Sequence, residues 1–108
     1  MYIYSVTTNI EESVHTEWLK WMQEKHIPEM LQLGKFSKVI MSKVMIEEEM
    51  GGVTYSVQFF TDSKETLENY YKEDAEKMRN EGPTLFKNKY VVFRTELDVV
   101  FEEKVFTN

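Results

Sequence analysis

The sequence contains no cysteine, and this absence removes several classes of chemistry at once. Without thiols there are no disulfide bonds, no cysteine nucleophile, no iron–sulfur cluster and no cysteine-based zinc site. Histidine is also scarce, with only His15 and His26. No apolar run approaches the ~18 residues that a membrane-spanning helix needs. The N-terminus lacks the basic and apolar regions of a signal peptide, so a cytoplasmic location is expected.

Basic residues are in the minority, with 13 Lys and Arg against 19 Asp and Glu and a net charge of −6. This balance argues against nucleic acid and against an anionic membrane surface as partners, because both are bound through basic surfaces. Hydrophobic residues make up 42% of the chain, which favours a packed globular core over disorder. A length of 108 residues then predicts a single domain spanning residues 1–108.

Glycine and proline are few, and all of them fall where a secondary-structure element is expected to begin or end. The segments between them predict a strand at 2–8 and then a helix capped by Asn9. Pro28 lacks a backbone donor and pushes Ile27 away from the α region, so a kink or break is expected at 26–27. A short helical segment follows, closed by Gly34 in the left-handed αL conformation. Strands are then predicted at 35–47 and 53–61, a helix capped by Asp62 or Ser63 and ended by Gly82-Pro83, and a strand from about Lys89 to Phe101 or beyond. The acidic run 47–49 predicts a solvated turn, and Gly51-Gly52 supplies the positive φ of a hairpin.

The predicted order β-α-β-β-α-β is that of the ferredoxin-like fold, an α+β fold with two helices on one face of a four-stranded antiparallel sheet. Such a sheet normally alternates apolar and polar residues along each strand. In the last strand, however, Val91, Phe93 and Leu97 occupy one face while Tyr90 and Val92 occupy the other. Apolar residues on both faces predict that the second face is covered too. A second copy of the chain is the simplest cover, so a homodimer is expected.

Five short segments carry a resemblance that extends over essentially the whole chain: Trp18-Leu19-Lys20-Trp21-Met22, His26-Ile27-Pro28-Glu29, Gly34-Lys35-Phe36, Tyr55-Ser56-Val57-Gln58 and Phe93-Arg94-Thr95-Glu96-Leu97. With the element order, they resemble the dimeric α+β barrel superfamily, and most closely an uncharacterised bacterial family known as a domain of unknown function. The resemblance implies two ferredoxin-like sheets packed face to face. The superfamily includes cofactor-independent monooxygenases, haem-degrading enzymes, lactone isomerases, sugar mutarotases and members without known activity, so the fold does not choose an activity.

His26 is the main candidate catalytic residue. It lies near the end of the first helical segment, at the proline break, where an imidazole titrates near pH ~6.5 and the helix C-terminus favours its cation. In several enzymes of the superfamily a histidine at a similar helix position lies in the pocket between helix and sheet. The alternative is that the ring bonds the backbone carbonyls freed by Pro28 and has only a structural role.

The candidate ligand-binding residues are Trp18, Trp21, Tyr55, Gln58, Arg94 and Glu96. Arg94, Glu96 and Asp98 share one face of the last strand, since side chains alternate along a strand. If that face coincides with the face carrying Gln58, a polar patch forms inside the barrel or at the dimer interface. Arg94 is then an anion-binding group or one half of an ion pair that sets the dimer register. The aromatic residues line a pocket or simply form core.

No metal site and no cofactor are expected. His15 and His26 are eleven residues apart, which is ~16 Å along one helix, so they cannot share an ion there; His15 is expected to be a partly exposed surface histidine. No glycine-rich phosphate loop, nucleophile elbow, zinc motif or calcium loop is present.

Two hypotheses remain. The chain binds a small molecule between the first helix and the sheet, acting as a cofactor-independent enzyme with His26 as acid or base, or it is a non-catalytic dimeric interaction module.

Overall fold

A computed structural model describes residues 1–46 and 51–106. In chain order the elements are β1 (Tyr2–Ile10), a short 3-10 helix (Glu12–Val14), α1 (His15–Trp21), a π-helical turn (Met22–His26), α2 (Ile27–Gln32), β2 (Lys38–Lys43), β3 (Val53–Thr61), α3 (Lys64–Glu73), α4 (Ala75–Leu85) and β4 (Tyr90–Asp98). Residues 47–50 of the predicted hairpin lie outside the described part of the chain, whereas Gly51 and Gly52 both have the predicted positive φ, at 82°.

The four strands form one antiparallel sheet in the order β2-β3-β1-β4, which confirms the ferredoxin-like α+β fold. Val6 in the centre of β1 pairs with Val57 on β3 and with Arg94 on β4. Because side chains alternate, this register places the even-numbered residues of β1 and β4 and the odd-numbered residues of β3 on the same face. That face carries the helices. The other face is called the open face below.

The core lies between the helices and the sheet. Its fully buried side chains include Phe59 from β3, Leu67 and Tyr70 from α3, and Met30 from α2. Tyr4 of β1 stands at its centre, with its ring centroid 5.3 Å from that of Tyr70. Packed aromatic pairs at such spacings add to the stabilisation that comes from burying apolar area. One shared core of this kind holds both helical layers on one side of the sheet.

The first helix does not break at Pro28. Ile27 keeps helical backbone angles (φ −62°, ψ −46°), so the prediction that it leaves the α region is wrong. The chain instead makes a π-helical turn at Met22–His26, in which the N–H of Ile27 donates to the carbonyl of Met22. This i→i+5 bonding pattern accommodates the missing donor of the proline without interrupting the helix. Gly34 follows with φ 76°, as predicted for the residue that ends the segment.

The second helical region also differs from the prediction. Ser63, one of the two predicted caps, accepts a hydrogen bond from the N–H of Thr66 at 3.0 Å. The region then divides at Asp74 into α3 and α4, and α4 runs past Gly82 with Pro83 inside it. The prediction that Gly82-Pro83 ends the helix is therefore wrong. Among the described residues no helix is both long and apolar enough to cross a bilayer.

Asn9 does not cap the first helix, because β1 extends through Ile10. Its side-chain nitrogen donates instead to the carbonyl of Gly51 and to the hydroxyl of Thr54, at 3.4 and 3.1 Å. These bonds tie the end of β1 to the start of β3. The second strand is shorter than predicted and the last strand ends at Asp98, while β3 has the predicted bounds.

Candidate functional site

A cleft lies between the first helix, α4 and the sheet. It encloses about 70 Å³ and its floor is formed by the helix-facing side chains of β1 and β4. The walls are mainly apolar, with Trp18, Trp21, Met22, Met78 and Phe86. A small number of polar groups break this lining: His26 from the π-helical turn, Arg79 from α4, and Thr8, Tyr90 and Arg94 from the sheet.

The π-helical turn sets the direction of His26. In an α-helix, residues five apart point to different sides, whereas the i→i+5 pattern brings them closer together. Accordingly, the His26 ring stacks on the ring of Trp21, with centroids 4.8 Å apart and planes inclined by 21°. Stacking fixes the imidazole at the wall of the cleft. His26 makes no hydrogen bond with any residue that the structure describes, so the alternative in which its ring bonds freed carbonyls does not occur there.

The electrostatic surroundings of His26 are opposite to those expected for a helix C-terminus. Burial lowers the pKa of His26 to about 4, since the apolar cleft disfavours the imidazolium. The carboxylate of Glu81 acts in the other direction and the guanidinium of Arg94 adds to the lowering. The imidazole is therefore neutral at pH 7, with one nitrogen that accepts and one that donates a hydrogen bond.

Glu81 belongs to an ion pair at the rim of the cleft. Its carboxylate accepts from the ammonium of Lys25, and this bond is the main cause of its lowered pKa. The charged end of Lys25 thus reaches across from the π-helical turn to α4. The pair connects the π-helical turn to α4 beside His26.

Two arginines also line the cleft, Arg79 from α4 and Arg94 from β4. Arg79 donates from Nη2 to the Tyr4 hydroxyl at 2.8 Å, and its guanidinium carbon lies 5.7 Å from the ring centroids of both Tyr4 and Tyr71. Its Nε is buried and has no hydrogen-bond partner among the described residues. Arg94 approaches from β4 and lines the cleft next to it.

A second, more open cavity of about 430 Å³ adjoins the cleft at the arginines. Arg79 and Arg94 line both spaces, and the outer one also contains Tyr71 and Glu96. Burial, together with the nearby Glu96 carboxylate, raises the pKa of Tyr71 to about 12. Its hydroxyl is protonated at neutral pH and is close enough to donate a hydrogen bond to the Glu96 carboxylate.

The structure brings together some of the residues that the sequence singled out and separates others. Trp18, Trp21, His26 and Arg94 line the cleft, and Glu96 lines the adjoining cavity. Gln58 does not join them, because the register puts it on the open face while Arg94 lies on the helix face. The polar patch that required these two faces to coincide is therefore not formed within one chain.

Tyr55 and His15 form a separate pair behind Trp18. The Tyr55 ring packs 5.2 Å from that of Trp18, and its hydroxyl lies 2.6 Å from His15 Nε2. Tyr55 is buried and supports the cleft wall without lining it. His15 is partly exposed, as predicted, and has a defined partner in the Tyr55 hydroxyl. Within the described ranges no group of three His, Asp or Glu side chains is arranged to hold a metal ion.

Sequence reasoning missed Arg79 and Tyr4. Arg79 lies one position after Met78 on the helical repeat, so periodicity alone suggests a surface residue. One signal was present in the sequence, namely the rarity of arginine. The chain has two arginines, Arg79 and Arg94, against eleven lysines. Tyr4 reads as an ordinary strand residue, and only the packing shows that its hydroxyl orients Arg79.

Residues 1–100 match the family described as a domain of unknown function, DUF4286. The chain belongs to the DUF4286 family. No curated protein matches this DUF4286 chain significantly. The family-level resemblance expected from the quoted segments is thus confirmed, and it comes without an assigned activity.

Solved structures of similar fold cover nearly the whole chain. HapK from Hahella chejuensis has a TM-score of 0.69 at 6% identity, covering 99% of this chain and 100% of its own. A Bacillus cereus protein named as a candidate antibiotic biosynthesis monooxygenase has a TM-score of 0.67 at 12% identity. The match covers 96% of this chain and 97% of that protein. A dimeric ferredoxin-like protein from an uncultured marine organism has a TM-score of 0.66 at 15% identity. The match covers 97% of this chain and 100% of that protein. At these identities the likeness shows the fold alone.

Proposed function

We propose that this DUF4286 protein is a homodimeric α+β barrel that binds a small apolar molecule in the cleft beside His26. The observation that carries the proposal is the cleft itself, a concave space with aromatic and methionine walls and few polar groups. Pockets of this composition are the usual form of small-molecule sites, in which the few polar groups orient the ligand. Met22 and Met78 add adaptable walls, since thioether side chains repack readily around ligands of different shape.

His26 is the group in this cleft best placed for chemistry. As a neutral imidazole it accepts a hydrogen bond, or a proton, from an acidic O–H or C–H group of the bound molecule. The anion left on the molecule faces the positive charge of Arg94, which lies in the same cleft. A cofactor-independent enzyme needs this combination of a proton acceptor and a fixed cation. The fold likeness to a candidate monooxygenase is in keeping with this role.

Binding in the cleft is tested by blocking it. Gly82 lines the cleft, and a Cβ there lies 3.1 Å from the Tyr90 hydroxyl, so a Gly82→Leu side chain enters the same space. We expect para-fluorobenzamide, followed by fluorine NMR, to bind the wild-type protein and to lose at least about tenfold in affinity in Gly82→Leu. A lost contact worth ~1.4 kcal/mol corresponds to that factor.

The matched control is Glu76→Leu, which adds the same side chain at an exposed position of α4 away from the cleft. This variant should bind the probe as the wild type does. Both variants are checked for folding by circular dichroism. Equal binding to wild type and Gly82→Leu, or no binding to the wild type, contradicts the proposal.

The open face supports the homodimer. Val91 and Phe93 on β4 are 68% and 64% exposed there, and Ile40 on β2, at the opposite edge of the sheet, is 41% exposed. The segment after β4 adds Phe101 and Phe106, which are also largely exposed. Neighbouring large apolar side chains exposed on one strand, as on β4, mark an interaction site. A second copy is the occupant we propose, because a protein of the same fold is named dimeric.

Sedimentation tests the dimer directly. We expect the wild-type protein at micromolar concentration to sediment at twice the chain mass of 12.9 kDa. Phe93→Asp should shift it to the monomer, since a carboxylate buried in an apolar interface is strongly unfavourable. Leu85→Asp, an exposed apolar position in the helical layer, should leave the dimer intact. A monomeric wild type rules the dimer out.

The open face also favours the second hypothesis, a non-catalytic dimeric interaction module. Contact with a second copy accounts for the apolar residues of this face without any small-molecule ligand. The cleft has no such explanation. If the dimer forms and no small apolar molecule enters the cleft, the interaction module is the better description. Probe binding that Gly82→Leu abolishes favours the small-molecule site instead.

A further inference from the structure

We propose that the molecule bound in this cleft carries a carboxylate or a similar oxyanion, held between Arg79 and Arg94, on an apolar body that occupies the inner cleft. This inference rests on the proposed function and adds the chemical class of the ligand. The chain has two arginines, one on α4 and one on β4, and both line the inner cleft and the outer cavity.

Among the described residues Arg79 and Arg94 form no ion pair, although the chain has an excess of six acidic side chains. Several lysines do pair with carboxylates: Lys25, Lys35, Lys89 and Lys104. Glu96 lies two residues from Arg94 on the same face of β4, but its carboxylate is close to Tyr71 and forms no ion pair with either arginine. The positive charge is thus concentrated at the boundary between the two spaces.

Arg79 is held in place while part of its hydrogen-bonding capacity stays unused. The Tyr4 hydroxyl and the rings of Tyr4 and Tyr71 fix the guanidinium, yet its buried Nε has no partner among the described residues. A buried donor without a partner costs free energy, and Arg79, which is half-buried, also carries a positive charge there. An anionic group at this point satisfies both the donor and the charge.

The geometry selects an oxyanion on an apolar body. Guanidinium groups bind carboxylates through paired N–H donors, and two of them from different elements define a narrow anion position. On the inner side the lining is aromatic and thioether, with Trp18, Met22 and Phe86. On the outer side the cavity is wider and includes the Tyr71 hydroxyl. A ring or branched chain therefore points inward and its oxyanion lies at the arginines.

Matched probes test the ligand class. Para-fluorobenzoate and para-fluorobenzamide have nearly the same shape and differ in charge, and para-fluorocinnamate with its amide forms a second pair. We expect fluorine NMR at low salt to give at least about tenfold tighter binding of each acid than of its amide, the range for a charge-assisted hydrogen bond. Arg94→Gln and Arg79→Gln should bring this ratio close to one, and Arg94→Lys should restore part of it. Lys72→Gln, which removes an exposed cation of α3, should leave the ratio unchanged.

The outcomes separate the two proposals. Equal binding of acid and amide overturns the ligand class and leaves the proposed function standing. Binding of neither member of either pair overturns both. If Arg79→Gln unfolds, Arg94→Gln, at an exposed position, still decides the question. If Arg94→Gln converts the protein to monomers without changing the ratio, the partner of Arg94 is a carboxylate of the second copy, and the ligand class is overturned.

Discussion

Lowering the pH from 7 to 4 is expected to reduce the free energy of unfolding by about 3 kcal/mol through His26 alone. The folded state holds the pKa of His26 at about 4, against an ordinary value of 6.5. Between these two values the unfolded chain binds a proton at this residue and the folded chain does not. Stability therefore falls as the pH falls through this window, and the contribution is fully present above pH ~6.5.

The pKa of His26, and with it the pH dependence of stability, depends on the charged groups around the imidazole. Glu81 of α4 opposes the lowering of the pKa, and Arg94 of β4 adds to it. Lys77 of α4 and Glu29 of α2 line, together with His26, an open depression of about 300 Å³. Burial is the largest cause, so a substitution that opens the cleft to water should raise the pKa of His26 towards its ordinary value.

Urea unfolding of wild type and His26→Gln at several pH values, at one protein concentration, measures the contribution. The wild type should lose about 3 kcal/mol more than the variant between pH 7 and pH 4, because the carboxylates common to both cancel in the comparison. An NMR titration of the imidazole provides a direct reading, with His26→Gln assigning the signal. An imidazole that titrates at pH 6.5 or above contradicts the prediction.

Replacing Leu67 by alanine is expected to lower the free energy of unfolding by about 3 kcal/mol. Leu67 is 1% exposed and packs from α3 into the core, next to the aromatic cluster around Tyr70. The substitution removes three buried carbons and leaves a cavity that close packing cannot fill. Helix propensity is not the cause, since alanine is at least as good a helix former as leucine.

Leu85→Ala is the matched control for this substitution. Leu85 lies at the end of α4 and is 51% exposed, so the same chemical change should cost less than about 1 kcal/mol. Denaturant unfolding of both variants at the same concentration makes the comparison. Equal losses in the two variants would mean that α3 does not pack against the sheet as described.

Much of the fold follows from local pattern. The alternation and β-branched content of residues 53–61 identified β3 with its observed bounds, and Gly34, Gly51 and Gly52 took the positive φ expected of them. The errors fall where tertiary contacts override a local signal. Asn9 is a good helix cap, but its side chain bonds across the sheet to Thr54, and β1 continues past it. A strand neighbour far along the chain decided its role.

The two prolines show the same limit. Pro28 and Pro83 both read as helix breaks, yet both lie within helical structure. At Pro28 a π-helical turn absorbs the missing donor, and that turn aims His26 at Trp21. A single proline cannot indicate whether the chain breaks or changes its hydrogen-bonding pattern. The choice depends on the packing of the helix against α4 and the sheet.

The candidate site was only partly visible in the chain. His26, Trp18 and Trp21 were singled out from one helical segment, because residues of one helix share a face at known spacing. Whether Arg94 or Gln58 faces that helix depends on strand register, and a shift of one residue exchanges the faces. Arg79 was missed because its partner Tyr4 lies 75 residues away in sequence.

The sequence by itself determined the order of strands and helices, the apolar residues on both faces of the last strand, and the family. Periodicity, turn residues and composition are local properties, and each can be read from a short window. Only the tertiary structure decided that His26 is neutral and stacked in a cleft and that the two arginines line it without an ion pair to any described residue. The charge state of His26 and the meeting of the two arginines depend on which side chains lie near them. Strand register and helix packing across the whole chain decide which side chains those are.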